Sequence, residues 1–377
     1  MTISFLHVKL VIETPTIIVK ESIKNWYTVY TEYIPARTFY GSIITYLASK
    51  GHDPSELKYS INTSNLYPAN YGLSFPAIPY TVVCKTNKCI DKALLKVLID
   101  KLYSGNIKYR ENDLVKLYQY LIDKINECEV GNYRIASDYL IRSLAGKPIY
   151  CNSKDCNKDN KDREKCCKHK PLKTVVLESV GISPVTRSSY AGLVYTYEAL
   201  EPGQYLHGFI ACDEQVVEIL KNDLNNALIY MGRGISRGYG RVRVTLVSEK
   251  FDNKYDLRNI IEESFRNVVN KLGRNYQILV SLSPLAIGGQ GKILPIDIKK
   301  DLAGIVSMVS ELYISWSKLH GILKPIYSMP GHGSLSHMLL KKNYVETINR
   351  YEEILLSNPG INFLIPLDVY GKLLVGE

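Results

Sequence analysis

Gly232-Arg233-Gly234-Ile235-Ser236-Arg237-Gly238-Tyr239-Gly240-Arg241-Val242-Arg243-Val244 decides how the chain is read. Four glycines within nine residues permit positive φ, and so a tight reversal between two strands. An apolar run, 228–231, precedes it. After it Val242, Val244 and Leu246 alternate with Arg241 and Arg243, which a strand sends to the opposite face. The pattern is strand, glycine loop, strand. Consecutive N–H groups in such a loop form a concave anion site, and nearby arginines supply bidentate phosphate donors. Tyr239 adds a ring able to stack on a base. No Gly-Lys-Ser/Thr closes the run, so it is not a nucleotide P-loop, and no strand-before, helix-after setting makes it a dinucleotide fingerprint. Two readings stay open: a polyanion-binding loop, or a hairpin turn with solvated arginines.

Working outward, residues 174–183, 193–200 and 204–211 read as strands. Asp213 then caps a helix carrying Val216, Val217, Leu220 and Leu224. The opening run, 3–12, is loosely alternating and predicts a strand half-buried in a sheet. Pro35 begins a helix with Ile43, Ile44 and Leu47 at helical spacing, and Gly41 lets its first turn pack closely. Residues 60–80 look like an irregular crossing loop, followed by two Leu-rich helices around 91–105 and 114–131. Downstream come an amphipathic helix over 249–273 with Asp256 before its apolar face, and a strand over 276–283. A turn at Gly288, Gly289 and Gly291 and helices around 301–316 and 344–356 complete the chain. This texture predicts an α+β protein of two ferredoxin-like (RRM-like) domains. Residues 1–250 form the first, with a helical and Cys-rich insertion at about 84–173, and residues 251–377 the second.

The chain has 377 residues, 46% hydrophobic and 22% charged, which fits a globular protein with a large core rather than a disordered one. No apolar run is long enough for a membrane span, and no secretory leader opens the sequence, so a cytoplasmic location is expected. The net charge of +10 is concentrated. Residues 146–173 hold nine Lys/Arg against four Asp/Glu, and residues 232–243 hold four arginines and no acid. Concentrated positive charge points to a polyanionic partner. Tyrosine supplies 29 of the aromatic residues, a bias of composition more than a motif.

Half of the eight cysteines fall between 151 and 167. In a chain without an export signal such a cluster reads as a metal site. Cys151, Cys156, Cys166 and His169 offer zinc a four-ligand thiolate–imidazole set, with Cys167 competing with Cys166. The site would be structural, giving a polar insertion something to fold around. The alternative is a Lys-rich loop with incidental cysteines. Cys84, Cys89, Cys128 and Cys212 read as plain buried thiols.

Three stretches together resemble the RAMP superfamily of CRISPR-associated proteins. The glycine- and arginine-rich loop before a last strand is the first. Ile34-Pro35-Ala36-Arg37-Thr38-Phe39-Tyr40-Gly41-Ser42-Ile43 resembles the family's I-P-small-Ser-Ser/Thr-Leu-Arg-Gly-Ala-Leu element at the start of helix one. Glu198-Ala199-Leu200-Glu201-Pro202-Gly203 with Phe209 and Ile210 resembles its E-x-L-x-x-G hairpin. The likeness spans roughly residues 1–248 in the family's order and is most similar to the subunit of a type III effector, subtype D, that holds the guide's 5′ handle. Lys324-Pro325-Ile326-Tyr327 and Gly333-Ser334-Leu335 echo that subunit's tail. One departure stands out: the arginine usual before the helix-one glycine is Tyr40, and Arg37 sits where a small residue is usual.

The resemblance implies a non-catalytic guide-RNA-binding subunit that caps the backbone filament of an antiviral ribonucleoprotein. Arg37, Arg233, Arg237 and Arg241 would neutralise phosphates, with Gly232, Gly234, Gly238, Tyr239 and Gly240 against the sugar-phosphate chain. Its partners would be the guide RNA, a large polymerase-like subunit and backbone RAMP subunits. The alternative is a metal-independent endoribonuclease that processes repeat transcripts, casting Tyr40, Lys50 and His52 as its catalytic groups. His207 reads as a core residue; His332 and His337 have no acidic residue at a helpful spacing.

Overall fold

The computed structural model describes residues 3–23, 26–79, 82–84, 133–135, 147–150, 171–182, 185–252, 254–272, 276–286, 298, 300–306, 310–313, 316–317, 322–323, 327–341 and 343–375. The N-terminal part runs β1 (Ile3–Ile12), β2 (Val19–Ile23), β3 (Trp26–Val29), α1 (Ala36–Ser49) and β4 (Ile61–Thr63). It continues with β5 (Thr174–Ile182), β6 (Ser189–Leu200), β7 (Tyr205–Asp213), α2 (Glu214–Leu224), β8 (Leu228–Tyr230) and β9 (Arg241–Ser248). The C-terminal part runs α3 (Leu257–Asn267), β10 (Tyr276–Ser281), β11 (Leu302–Val306), β12 (Leu335–Leu339), α4 (Tyr344–Leu356), β13 (Leu364–Pro366) and α5 (Leu367–Val375).

The first sheet is ordered β8-β9-β1-β7-β4, with every pairing antiparallel. Taking β1, β4, β7 and β9 as strands one to four, the spatial order is 4-1-3-2, with α1 after strand one and α2 after strand three. The sheet β11-β12-β10-β13 repeats that order: β10 is one, β11 two, β12 three and β13 four. It too is antiparallel, and α4 again links strands three and four. A further sheet, β5-β6-β3-β2, stands beside the first.

β1 shows why the layers stack. Leu6, Val8 and Leu10 face one core with Phe39, Ile43 and Leu47 of α1 and Leu220 of α2. Ile3 and Phe5 face the other, with Phe265 of α3, Tyr351 of α4 and Phe363. Phe5 and Phe363 meet edge-on at 6.3 Å. Residues 3–8 are therefore buried on both faces, where alternation alone had predicted one. The C-terminal part supplies the second cover.

Helix α1 begins after Pro35 as expected and ends in a Schellman motif, with Gly51 N–H on Ala48 O and His52 N–H on Leu47 O. Gly41 is exposed and a side chain there would meet nothing, so it does not serve close packing in this chain. Asp213 precedes α2 without capping it. Asp256 does cap α3, accepting from Asn259 N–H at 3.1 Å. The helix expected over 249–273 is shorter: Lys250–Phe251 pairs with Tyr255–Asp256 before it begins. The helix expected around 301–316 is instead strand, Leu302–Val306 and Ser310–Tyr313. Short apolar runs carry no clear period, and pairing of Leu302 with Met338 settles the matter. A single bulge shifts β9 between its pairings with Lys9 and Leu10, so Val247 is buried and Leu246 only partly. The expected helices around 91–105 and 114–131 and the turn at Gly288–291 lie outside the described residues. No described helix is long and apolar enough to cross a membrane.

Candidate functional site

The glycine loop joins β8 to β9 at the edge of the first sheet. Met231 N–H bonds Gly240 O at 2.8 Å, closing the neck of the hairpin. Arg233 N–H bonds Ile17 O and Gly240 N–H bonds Pro15 O, both at 2.9 Å. The segment between β1 and β2 thus holds both arms. Gly232 and Gly240 have φ of 87° and 78°, and a Cβ on either would collide with a backbone carbonyl oxygen, of Ile17 and Met231 respectively. Only glycine fits there. Between them one 3₁₀ turn, Ile235–Arg237, forms the tip.

Several of the loop's amides are spent on the fold itself. Arg237 and Tyr239 N–H go to Gly234 O, Gly238 N–H to Ile235 O, and those of Arg233 and Gly240 to the 15–17 segment. Five N–H groups serve the protein itself. Those five are committed to the fold, and exposed arginine side chains add positive charge around the tip. Arg233 and Arg237 are exposed. Arg237 Nη1 donates to Tyr197 OH at 2.9 Å, which ties the tip to β6. Arg241 is offset: its Nε bonds Glu13 Oε2 at 3.0 Å, while Arg243 takes the other Glu13 oxygen. Tyr239 is half-buried, its ring packed against Gly234 and the core. Glu13 is a partner the sequence reading missed; an acid ending the first strand was its only signal.

Arg37 stands apart from the loop, in the first turn of α1. With Tyr30, Pro35, Pro284, Glu311 and Leu312 it lines a recess between the two parts. The two places communicate through one segment: Arg233 bonds Ile17, and Tyr30 N–H bonds Ile18 O at 3.0 Å. At the base of the recess Glu311 takes Tyr33 OH on one oxygen, at 3.1 Å, and His332 on the other, by main-chain N–H and ring Nδ1. His332 and its donors hold Glu311 below the ordinary carboxylate range although burial opposes it. This corrects the expectation that His332 lacks an acidic partner. Glu311 is 21 residues away in sequence, on a strand mistaken for helix, so spacing could not show it.

The remaining histidines divide cleanly. His207 is fully buried in β7, its Nε2 2.6 Å from Ser74 O, and burial lowers its pKa to about 4. His7 lies beside it, ring centroids 5.7 Å apart, among Phe209 and Phe251. Burial and His207 push it well below the usual histidine range. His52 sits in the turn after α1, Nε2 2.7 Å from Asp223 Oδ2. Tyr40 OH donates to Lys58 O and Lys50 lies over the Tyr46 ring. Cys212 is buried, its thiol pushed up to about 12 by desolvation. Cys151, Cys156, Cys166 and His169 lie outside the described residues. Among the described residues no three His, Cys, Asp or Glu side chains gather as a metal site. In the E-x-L-x-x-G stretch, Glu198 accepts Val29 N–H and Gly203 N–H bonds Ile12 O, so these residues hold strands together.

A family model described as the RAMP superfamily matches residues 9–243, which include α1, the β6–β7 turn and the whole glycine loop. No curated protein matches the sequence. Among solved structures, a chain of the type III-B Cmr-beta complex bound to cognate target RNA and AMPPnP aligns over 96% of this chain and 97% of its own, at 11% identity and a TM-score of 0.46. Oligomeric Cmr4 from Pyrococcus furiosus aligns over 64% of this chain and 97% of its own, at 12% identity and a TM-score of 0.26.

Proposed function

This chain belongs to the RAMP superfamily, and we propose that it is a non-catalytic guide-RNA-binding subunit of a type III CRISPR antiviral ribonucleoprotein. It holds the 5′ handle of the guide, caps the backbone filament, and meets a polymerase-like subunit and backbone RAMP subunits. Both 4-1-3-2 sheets support reading its two parts as ferredoxin-like domains. The observation that carries the proposal is the pair Arg233 and Arg237, exposed on a hairpin whose backbone is locked to the 15–17 segment. Rigid placement of cations suits a backbone that must be held in one register. A structural zinc at Cys151, Cys156, Cys166 and His169 belongs to the same proposal; metal content lost in Cys166→Ser would support it, and a metal-free wild type would remove it.

Tagging the protein in its host and sequencing the bound RNA tests the function. Guides sharing one 5′ repeat-derived tag, recovered with other RAMP subunits, are expected. Recovery of unprocessed repeat transcripts, or of no RNA, would overturn it.

One observation favours a second reading, a metal-independent endoribonuclease. Asp223 orients His52, as an acidic partner orients a general base. Tyr40 and Lys50 are engaged elsewhere, which weighs against it. Incubation with repeat RNA in chelator decides: only the enzyme yields a discrete product that His52→Ala abolishes.

A further inference from the structure

Residues 357–363 hold the same place in the C-terminal sheet, β11-β12-β10-β13, that the glycine loop holds in the first: each leads into strand four. Their sequence, Ser357-Asn358-Pro359-Gly360-Ile361-Asn362-Phe363, carries no charge, and all but Pro359 are buried. The loop is turned inward. Asn62 of β4, fully buried, uses every hydrogen bond an amide side chain has, two of them on this loop, one on the end of α4 and one on its own strand. Its Nδ2 donates to Leu355 O and, at 2.9 Å, Ile361 O. Its Oδ1 accepts from Gly360 and Thr63 N–H, each at 2.7 Å.

That grip seats Gly360 on the first turn of α1. A Cβ at Gly360, where φ is 76°, would stand 2.8 Å from both N and Cα of Arg37. From the other side Asn65 Oδ1 accepts Ala36 N–H at 2.8 Å, and Thr63 OH donates to Ala36 O at 3.0 Å. Asn65 N–H in turn bonds Leu282 O of the C-terminal part at 2.9 Å. The backbone carrying Arg37 is thus clamped between β4 and the C-terminal loop.

We propose that residues 357–363 are a positioning element for Arg37, fixing the direction from which its guanidinium meets RNA held at the glycine loop. This rests on the reading of Arg37 as a phosphate contact. The C-terminal part then completes an RNA grip whose charges all lie in the N-terminal part. Ile17 and Ile18, bonded respectively to Arg233 of the loop and to Tyr30 in the Arg37 recess, set the spacing between the two grips.

A double-mutant cycle on the full chain tests this, with Arg37→Ala, Gly360→Ala and both together. Affinity for a synthetic RNA bearing a repeat-derived 5′ tag is read across salt concentrations, beside thermal melting. Arg37→Ala should lower the salt slope by about 0.7, one single-strand phosphate contact. Gly360→Ala should weaken binding and flatten the slope by a similar amount, and the double variant should bind no worse than Arg37→Ala. A mere loss of stability would not remove one charge from the salt slope. Thr63→Val, which deletes only the hydroxyl on Ala36 O, asks the same question should Gly360→Ala not fold. Additive effects, or Gly360→Ala and Thr63→Val both binding as wild type, would overturn the proposal. If Arg37→Ala itself changes nothing, the contact falls and the proposal with it, while the loop reading at Arg233 and Arg237 stands.

Discussion

Between Tyr230 and Arg241 the chain enters the last strand of the first sheet through an exposed, arginine-bearing hairpin. Between Leu356 and Leu364 it enters the last strand of the C-terminal sheet through a buried, uncharged loop. Both use glycine at positive φ, and both are pinned by hydrogen bonds to a neighbouring segment. They differ in where the polar groups point. The first ties down its backbone and keeps its tip arginines, Arg233 and Arg237, on the exposed surface. The second spends backbone and side chains alike on the rest of the protein. One topological position can therefore make a binding surface or a brace, and charge composition separates the two.

The largest expected effect falls on the brace. Asn62→Ala leaves two carbonyls and two N–H groups without partners in a dry interior, a cost of about 4 kcal/mol by the usual price of unpaired buried groups. Urea unfolding should show it; a loss below about 1 kcal/mol would mean the loop is not held there.

Acid should loosen the same side of the molecule. His7 and His207 lie between the first sheet and the C-terminal part, with Lys9 the charged group acting on both, aromatic rings around them and Ser74 O on the His207 ring. Above about pH 7.5, a unit over the ordinary histidine value of about 6.5, both are neutral folded and unfolded, and stability is full. As the pH falls toward 4 the unfolded chain gains protons that the folded chain refuses, so stability drops, by about 3 kcal/mol from His207 alone. His7→Phe, filling the same aromatic cluster, should flatten the profile of unfolding midpoint against pH. An unchanged profile would place the acid sensitivity elsewhere.

On the exposed side the effects are smaller in stability and larger in binding. Gly240→Ala forces a left-handed residue and a carbonyl collision, costing about 2 kcal/mol, and should abolish tight RNA binding; melting and filter binding read both. Arg241→Ala should do least. Its charge is already shared with Glu13, so stability should move by less than about 0.5 kcal/mol and affinity less than in Arg237→Ala. Equal losses from the two would show that Glu13 releases Arg241 on binding.

Local signals made the first sheet legible. Alternation around Val242, the glycine run and Pro35 each placed an element within a few residues of where it lies. The brace was not legible, for a physical reason. Asn62, Thr63, Ser64 and Asn65 are all fully buried, yet small polar residues in a row read as an irregular loop, and many of the partners that hold them are distant in sequence, at 36, 209, 282, 355, 360 and 361. The Glu311–His332 pair was hidden likewise, because contact across sheets leaves no periodicity. The exposure of Arg233 and Arg237 on the hairpin was legible in the glycine run, while the residues that hold Arg241 and the Arg37 backbone, Glu13 and Gly360, were not.

Titrating the 5′-tagged RNA into wild type and the Arg233→Ala, Arg237→Ala double variant across salt concentrations tests the central claim most directly. The double variant should bind more weakly, with a salt slope lower by about 1.4, two single-strand contacts, and an unchanged melting temperature. Equal affinity and equal slope would contradict the account and remove the glycine loop from the RNA path.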